Sequence, residues 1–173
     1  MPQTSGSVRG MEVRRAVPDD EEAIVALADQ QRQEYRPYAP TFSLAAANAP
    51  AVHPPWIAEA VEKDSDETGV FVHVDDDGVV DGFVIATLVL PPPVYAPSGP
   101  TCSIDDFVVA DPTRWPTVGF ALFRGAQQWA FEHGAVQTVV VCSPKDLPKR
   151  QMLIDDGLYV ATEWLTAARR PSS

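Results

Sequence analysis

Cysteine is scarce in this chain: only Cys102 and Cys142 occur among its 173 residues. Two cysteines make no disulfide framework, and no Cys/His group has zinc-ligand spacing, so no metal is expected and a reducing cytoplasm is the expected compartment. Basic residues are few as well, 13 Lys and Arg against 24 Asp and Glu, which leaves a formal net charge of −11. A nucleic-acid backbone must be met by clustered cations, so no nucleic-acid partner is expected, whereas the overall field favours a cationic substrate such as an amine. Long apolar runs are missing too. The longest, from Phe83 to Leu90, is too short to cross a bilayer, and no secretory signal is visible, so no membrane partner is expected.

What is present describes one globular domain. A hydrophobic fraction of 45% and four tryptophans suffice for a substantial core at this length. Residues 1–10 are small and polar and read as a flexible leader, residues 11–168 as the domain, and residues 169–173 as a flexible tail. Glu12 to Ala16 suits a short edge strand. Pro18 and the acids after it open a first helix with Ile24, Leu27, Ala28 and Gln31 on one face, fading at Arg36-Pro37. Residues 37–55 hold five prolines and read as a loop, followed by a short helix from Trp56 to Lys63 with Trp56, Ala60 and Val61 facing inward.

Val70 to Val74 and Val79 to Leu90 form two strands joined at Asp77-Gly78, a hairpin signal. After the Pro91-Pro92-Pro93 stop and a proline-rich loop, Cys102 to Ala110 is the next strand. A helix from Pro116 to His133 carries Val118, Leu122, Ala126 and Trp129 on one face and closes at Gly134. Val136 to Cys142 is uninterruptedly apolar, as expected of a strand covered on both sides. Lys149 to Asp156 is helical, and Leu158 to Ala167 is a last strand.

The stretch from Asp105 to Gly119 carries the most chemistry. Phe107, Val108 and Val109 favour a strand, Asp111-Pro112 stops it, and Pro116 suits a first helical position where no backbone donor is needed. The next donors, at Thr117, Val118 and Gly119, then point outward with the helix dipole behind them, a ready phosphate site, and Gly119 allows a ligand to approach the backbone.

Arg114-Trp115-Pro116-Thr117-Val118-Gly119 resembles the acetyl-CoA-binding signature of the GNAT superfamily of N-acetyltransferases, Arg/Gln-x-x-Gly-x-Gly/Ala. The arginine and the last glycine match, and Thr117 stands for the first glycine. Gly134 ahead of an apolar strand, and Gly157-Leu158 in the place of the usual Gly-Phe, extend the resemblance from Met11 to about Ala168. It implies an α/β fold with a mixed central sheet and helices on both faces, in which the strands of Phe107 and Val139 are parallel neighbours that splay to admit the pantetheine arm. Acetyl-CoA, or another acyl-CoA, is then the co-substrate, held by Phe107, Val108, Val109, Arg114, Trp115, Thr117, Val118, Gly119 and Phe120. Tyr35, Tyr38, Phe42 and Trp56 would line a pocket for a small-molecule or peptide amine, and a homodimer is compatible with the superfamily's habits.

Acyl transfer to an amine needs a base, a stabilised carbonyl oxygen and an acid for the departing thiolate. Asp105 lies where many relatives carry an acidic residue and is the favoured base or amine anchor; Asp106 takes over if a bulge shifts the register. Leu153 stands where many relatives carry the tyrosine acid, and Lys149 and Arg150 are charged alternatives. Three readings stay open: an N-acyltransferase, a catalytically degenerate CoA-binding or sensing protein, and an unrelated α/β domain with a phosphate-binding helix.

Overall fold

A computed structural model of the chain describes residues 12–38, 44–62, 65–91, 94 and 98–167. The leader, the tail and Phe42 lie outside the described residues. Among these, five strands form one sheet in sequence order, β1 (Glu12–Arg15), β2 (Thr68–Val74), β3 (Val80–Val89), β4 (Thr101–Val109) and β5 (Gln137–Val140). Neighbours pair antiparallel except β4 and β5, which are parallel. Four helices, α1 (Glu21–Tyr35), α2 (Ala49–Glu62), α3 (Phe120–Glu132) and α4 (Leu147–Asp155), cover the two faces.

Strand alternation divides the core in two. Phe71, Val84, Ile104 and Phe107 pack with Leu122, Phe123, Ala126 and Trp129 of α3 and Met152 and Leu153 of α4. Val70, Val72, Phe83 and Val108 pack on the opposite face with Ile24, Leu27 and Ala28 of α1 and Ile57 of α2. Both faces of the central strands are thus dry, which explains their near-continuous apolar sequence.

Three expectations need correction. Helix α2 starts at Ala49, well before Trp56, because Pro50 occupies a first turn that needs no donors while the Asn48 carbonyl accepts from the Ala51 and Val52 amides. That phasing buries Ile57 and leaves Trp56 48% exposed, stacked on His53. Strand β5 is not covered on both sides: Val139 and Val141 are exposed, because it is the last strand of the sheet. Finally, Leu158 to Ala167 joins no ladder, and Tyr159, Trp164 and Leu165 are 86%, 76% and 94% exposed. A stretch rich in β-favouring residues becomes a strand only where its backbone pairs with a neighbouring edge, and among the described residues this one pairs with none.

Candidate active site

The site begins where β4 and β5 part. Their register runs from Thr101 opposite Gln137 to Ile104 opposite Val140, and the last bond between them joins the Val141 amide to the Ile104 carbonyl at 2.9 Å. Beyond it β4 continues for five residues with no strand paired to it on that side among the described residues, while the segment after β5 leads into α4. The two parallel strands therefore open into a V, as the resemblance implies.

A bulge sits at the mouth of the V. Ala86 faces Ile104 whereas Val84 faces Phe107, so β4 holds one residue more than β3 across the Asp105-Asp106 pair. Without it, Asp106 would share a face with Cys102 and Ile104; with it, Phe107 and Val109 join that core and Val108 joins the other. Asp106 consequently lies on the side of α1 and α2, half-buried, and Asp105 is exposed. Burial, and then the Asp105 carboxylate, push the Asp106 carboxyl above its ordinary range, while His53, Lys149 and Arg32 pull it back. Burial, and then the Arg32 guanidinium, which donates to Nδ1 at 3.1 Å, lower the His53 pKa.

The Ala110 amide bonds to the Asp81 carbonyl on β3 at 2.8 Å, so the alternate residues Phe107 and Val109 turn their backbone groups toward the V. Two side chains meet the Phe107 carbonyl there, Gln31 Nε2 from α1 and Lys149 Nζ from α4, both at 3.0 Å. Lys149 is only 1% exposed, its ammonium 5.1 Å from the Phe107 ring centre and 5.5 Å from that of Trp115. Desolvation lowers its pKa, against the opposing pull of Cys142, Asp146, Asp106 and Asp105. Asp146 caps α4 through the Lys149 amide and accepts the Tyr35 hydroxyl proton at 2.5 Å, while burial raises the Tyr35 pKa further. Tyr38 is exposed, with its ring 6.3 Å from that of Tyr35.

The helix tip is built differently from expectation. Pro112–Arg114 forms a 3₁₀ turn capped by Asp111, and Trp115–Gly119 a widened five-residue turn before α3 begins. Trp115 is buried beneath this turn, edge-on to Phe107 with ring centres 4.8 Å apart. A Cβ on Gly119 would lie 2.3 Å from the Trp115 ring, so the glycine makes room for tryptophan and not for a ligand. Val118 is buried, whereas Thr117 and Phe120 are exposed. Arg114 Nη1 bonds to Asp81, whose other oxygen meets the buried His73. Between the tip and α4 runs a groove of about 470 Å³, walled by Pro112, Thr113, Pro116 and Phe120 on one side and Gln151, Met152, Asp155 and Asp156 on the other.

The structure thus brings together Asp106, Phe107, Val109 and Trp115 around the V, places Phe120 on the groove, and leaves Thr117 exposed on the turn before α3. Val108 points its side chain into the opposite core, and Trp56 and Tyr38 stand apart at the surface. The sequence set Gln31 on the α1 stripe and offered Lys149 as a charged alternative to the tyrosine acid, but it did not show that both meet the Phe107 carbonyl. Their signal was present as spacing: Gln31 continues the Ile24, Leu27, Ala28 stripe, and Lys149, Met152 and Leu153 share one face of α4.

Comparison with known proteins fits this geometry. The model of the acetyltransferase (GNAT) family matches residues 27–152. The chain belongs to that family. No curated protein matches its sequence. Among solved structures, a mutant of a Bacillus halodurans protein superposes with a TM-score of 0.77 at 17% identity, over 92% of this chain and 100% of that one. The aminoglycoside N-acetyltransferase AAC(6′)-Iy, bound to a bisubstrate analogue of CoA and acetylneamine, gives 0.66 at 18% identity, over 93% and 99%. Glucosamine-6-phosphate N-acetyltransferase from Arabidopsis thaliana gives 0.67 at 12% identity, over 92% and 99%. These likenesses establish a shared GNAT fold. No helix among the described residues is long and apolar enough to cross a membrane.

Proposed function

We propose that the protein is an acyl-CoA-dependent N-acyltransferase that passes acetyl, or a related acyl group, to an amine by direct attack. The observation that carries this reading is the V between β4 and β5, which opens after Ile104 and Val140 directly beside the bulged Asp106. An extended chain with amide groups, such as pantetheine, finds backbone outside any strand ladder there, at Phe107 and Val109. Its diphosphate end would continue along the groove past Thr113 and Phe120.

In this reading Asp106 receives the amine's proton. A carboxylate raised by burial is a better base than an exposed one, because its conjugate acid is weaker at working pH. Asp105, exposed and 3.3 Å from the Ser103 hydroxyl, supplies negative charge at the mouth that favours a cationic amine. The Phe107 amide, next in the chain after Asp106 and turned into the V, is positioned to stabilise the thioester oxygen as it gains charge. Holding base and oxygen donor on consecutive residues keeps nucleophile and carbonyl in one geometry.

A second reading, binding of CoA without turnover, is favoured by one specific observation: the Lys149 ammonium already occupies the Phe107 carbonyl, and Leu153 offers no proton. Thiol release from acetyl-CoA across a panel of primary amines separates the two. Acyl transfer to any of them supports the enzyme, and tight CoA binding with no release across the panel supports the second reading.

A further inference from the structure

We propose that Lys149 is the acid that protonates the departing CoA thiolate, from a position one helical turn before Leu153. The inference rests on the acyl-transfer reading above and names a group for the step that reading leaves open.

Location comes first. The thioester carbonyl must lie by the Phe107 amide and within reach of the amine on Asp106, which fixes its sulfur inside the V. Lys149 Nζ already stands there, 3.0 Å from the Phe107 carbonyl. Its ammonium lies 5.1 Å from the Phe107 ring centre and 5.5 Å from that of Trp115, and the residue is 1% exposed. Other donors are poorly placed. Tyr159 is 86% exposed beyond the end of α4, and the proton of Tyr35 is committed to Asp146 at 2.5 Å. Cys142 is half-buried, and burial raises its pKa.

Chemistry fits next. The groups facing the ammonium are Cys142 from the end of β5, Asp146 at the head of α4, and Asp105 and Asp106 from the bulge. Burial lowers the lysine's pKa and so makes it a stronger acid than one in water, while Cys142 and the carboxylates oppose that shift. In the step itself the amine nitrogen bonds to the thioester carbon and its surplus proton passes to Asp106. The carbon–sulfur bond then breaks with its electron pair on sulfur, and an Nζ proton moves to sulfur to give the CoA thiol. Lys149 is left as a neutral amine, the form that burial favours, and recovers its proton from water once the products leave. Leaving the Phe107 carbonyl for the sulfur needs only rotation about the terminal bonds of the side chain, because Gln31 still satisfies that carbonyl.

The test uses CoA itself and needs no knowledge of the acceptor. The thiol of bound CoA is titrated by the ultraviolet absorbance of its thiolate, in the native protein and in the Lys149→Met and Lys149→Gln variants. An ammonium beside the sulfur makes the bound thiol ionise at lower pH than free CoA, and either neutral variant returns it upward by about one pH unit or more. With a reactive amine, the same variants lose about 10²-fold in kcat at nearly constant KM, and the loss shrinks for acyl thioesters of more acidic thiols. If CoA does not bind the native protein, this assignment and the acyl-transfer reading fall together. If CoA binds but its thiol ionises at the same pH in all three proteins, the role of Lys149 alone is overturned.

Discussion

The two ends of the cleft solve opposite problems with the same kind of residue. At the V, charged and polar groups are pulled inside: Lys149 and Gln31 converge on one carbonyl, Asp106 is half-buried, and Tyr35 is locked to Asp146. At the helix tip the motif residues turn to scaffolding, with Trp115 buried under Gly119 and Arg114 drawn to Asp81. Burial is costly for ionisable groups and brings nothing to a core that hydrocarbon would fill more stably. At the V these groups converge on one backbone carbonyl, whereas at the tip they pair with one another through Arg114, Asp81 and His73, and that separates the reactive end from the anchoring end.

The sharpest way to break this contrast is at the bulge. Asp106→Asn should lower acyl transfer by about 10²–10³-fold, and Asp105→Asn by no more than a few-fold. Equal losses would dissolve the distinction that the extra residue creates. Since the Asp106 pKa is raised, native activity should climb with pH through that elevated value, and a rate–pH profile that rises only across the ordinary carboxylate range would contradict it.

At the other end the expected effect is on stability. Gly119→Ala sets a methyl group 2.3 Å from the Trp115 ring and should cost about 1–3 kcal/mol in denaturant unfolding. Most of that cost should vanish in a Trp115→Leu background, the signature of a pairwise clash in a double-mutant cycle. Additive losses would mean that Gly119 acts through something other than tryptophan.

A third experiment compares the ends by their response to acid. With its folded pKa above its unfolded one, Asp106 favours the folded state below the unfolded value of about 4 and loses that contribution as pH rises through the folded value. Asp106→Asn should therefore raise Tm at neutral pH, and the gain should disappear below about pH 4. A gain independent of pH would point to packing instead. The smallest expected effect concerns the groove: Asp155→Asn should strengthen CoA binding by about two- to fivefold at low salt and hardly at all in high salt, as for an exposed like charge. No change at low salt would place the CoA phosphates elsewhere.

Much of the scaffold was legible in the sequence because its signals are local. Asp77-Gly78 fixes the hairpin of β2 and β3, and the Val118, Leu122, Ala126, Trp129 stripe fixes the face of α3. What stayed hidden depends on neighbours. A bulge made of two aspartates leaves no trace in an alternation pattern, since both residues are polar whichever way they face. Lys149 has the spacing of a core residue and the charge of a surface one, and only the diverging strands decide between them. Gly119 matched a motif written for ligand contact, but its requirement for room comes from Trp115 four residues earlier. The last strand failed for a related reason: Leu158 to Ala167 is rich in β-favouring residues, and pairing cannot be read from one partner.

The central claim is that the V between β4 and β5 grips a pantetheine arm. Calorimetric titration with CoA, set against 3′-phospho-ADP, which carries the same nucleotide without that arm, tests it most directly. CoA should bind at least about tenfold more tightly, a difference of about 1.4 kcal/mol drawn from the arm's contacts with Phe107 and Val109. Equal affinity for the two would show that nothing enters the V, and would contradict the account.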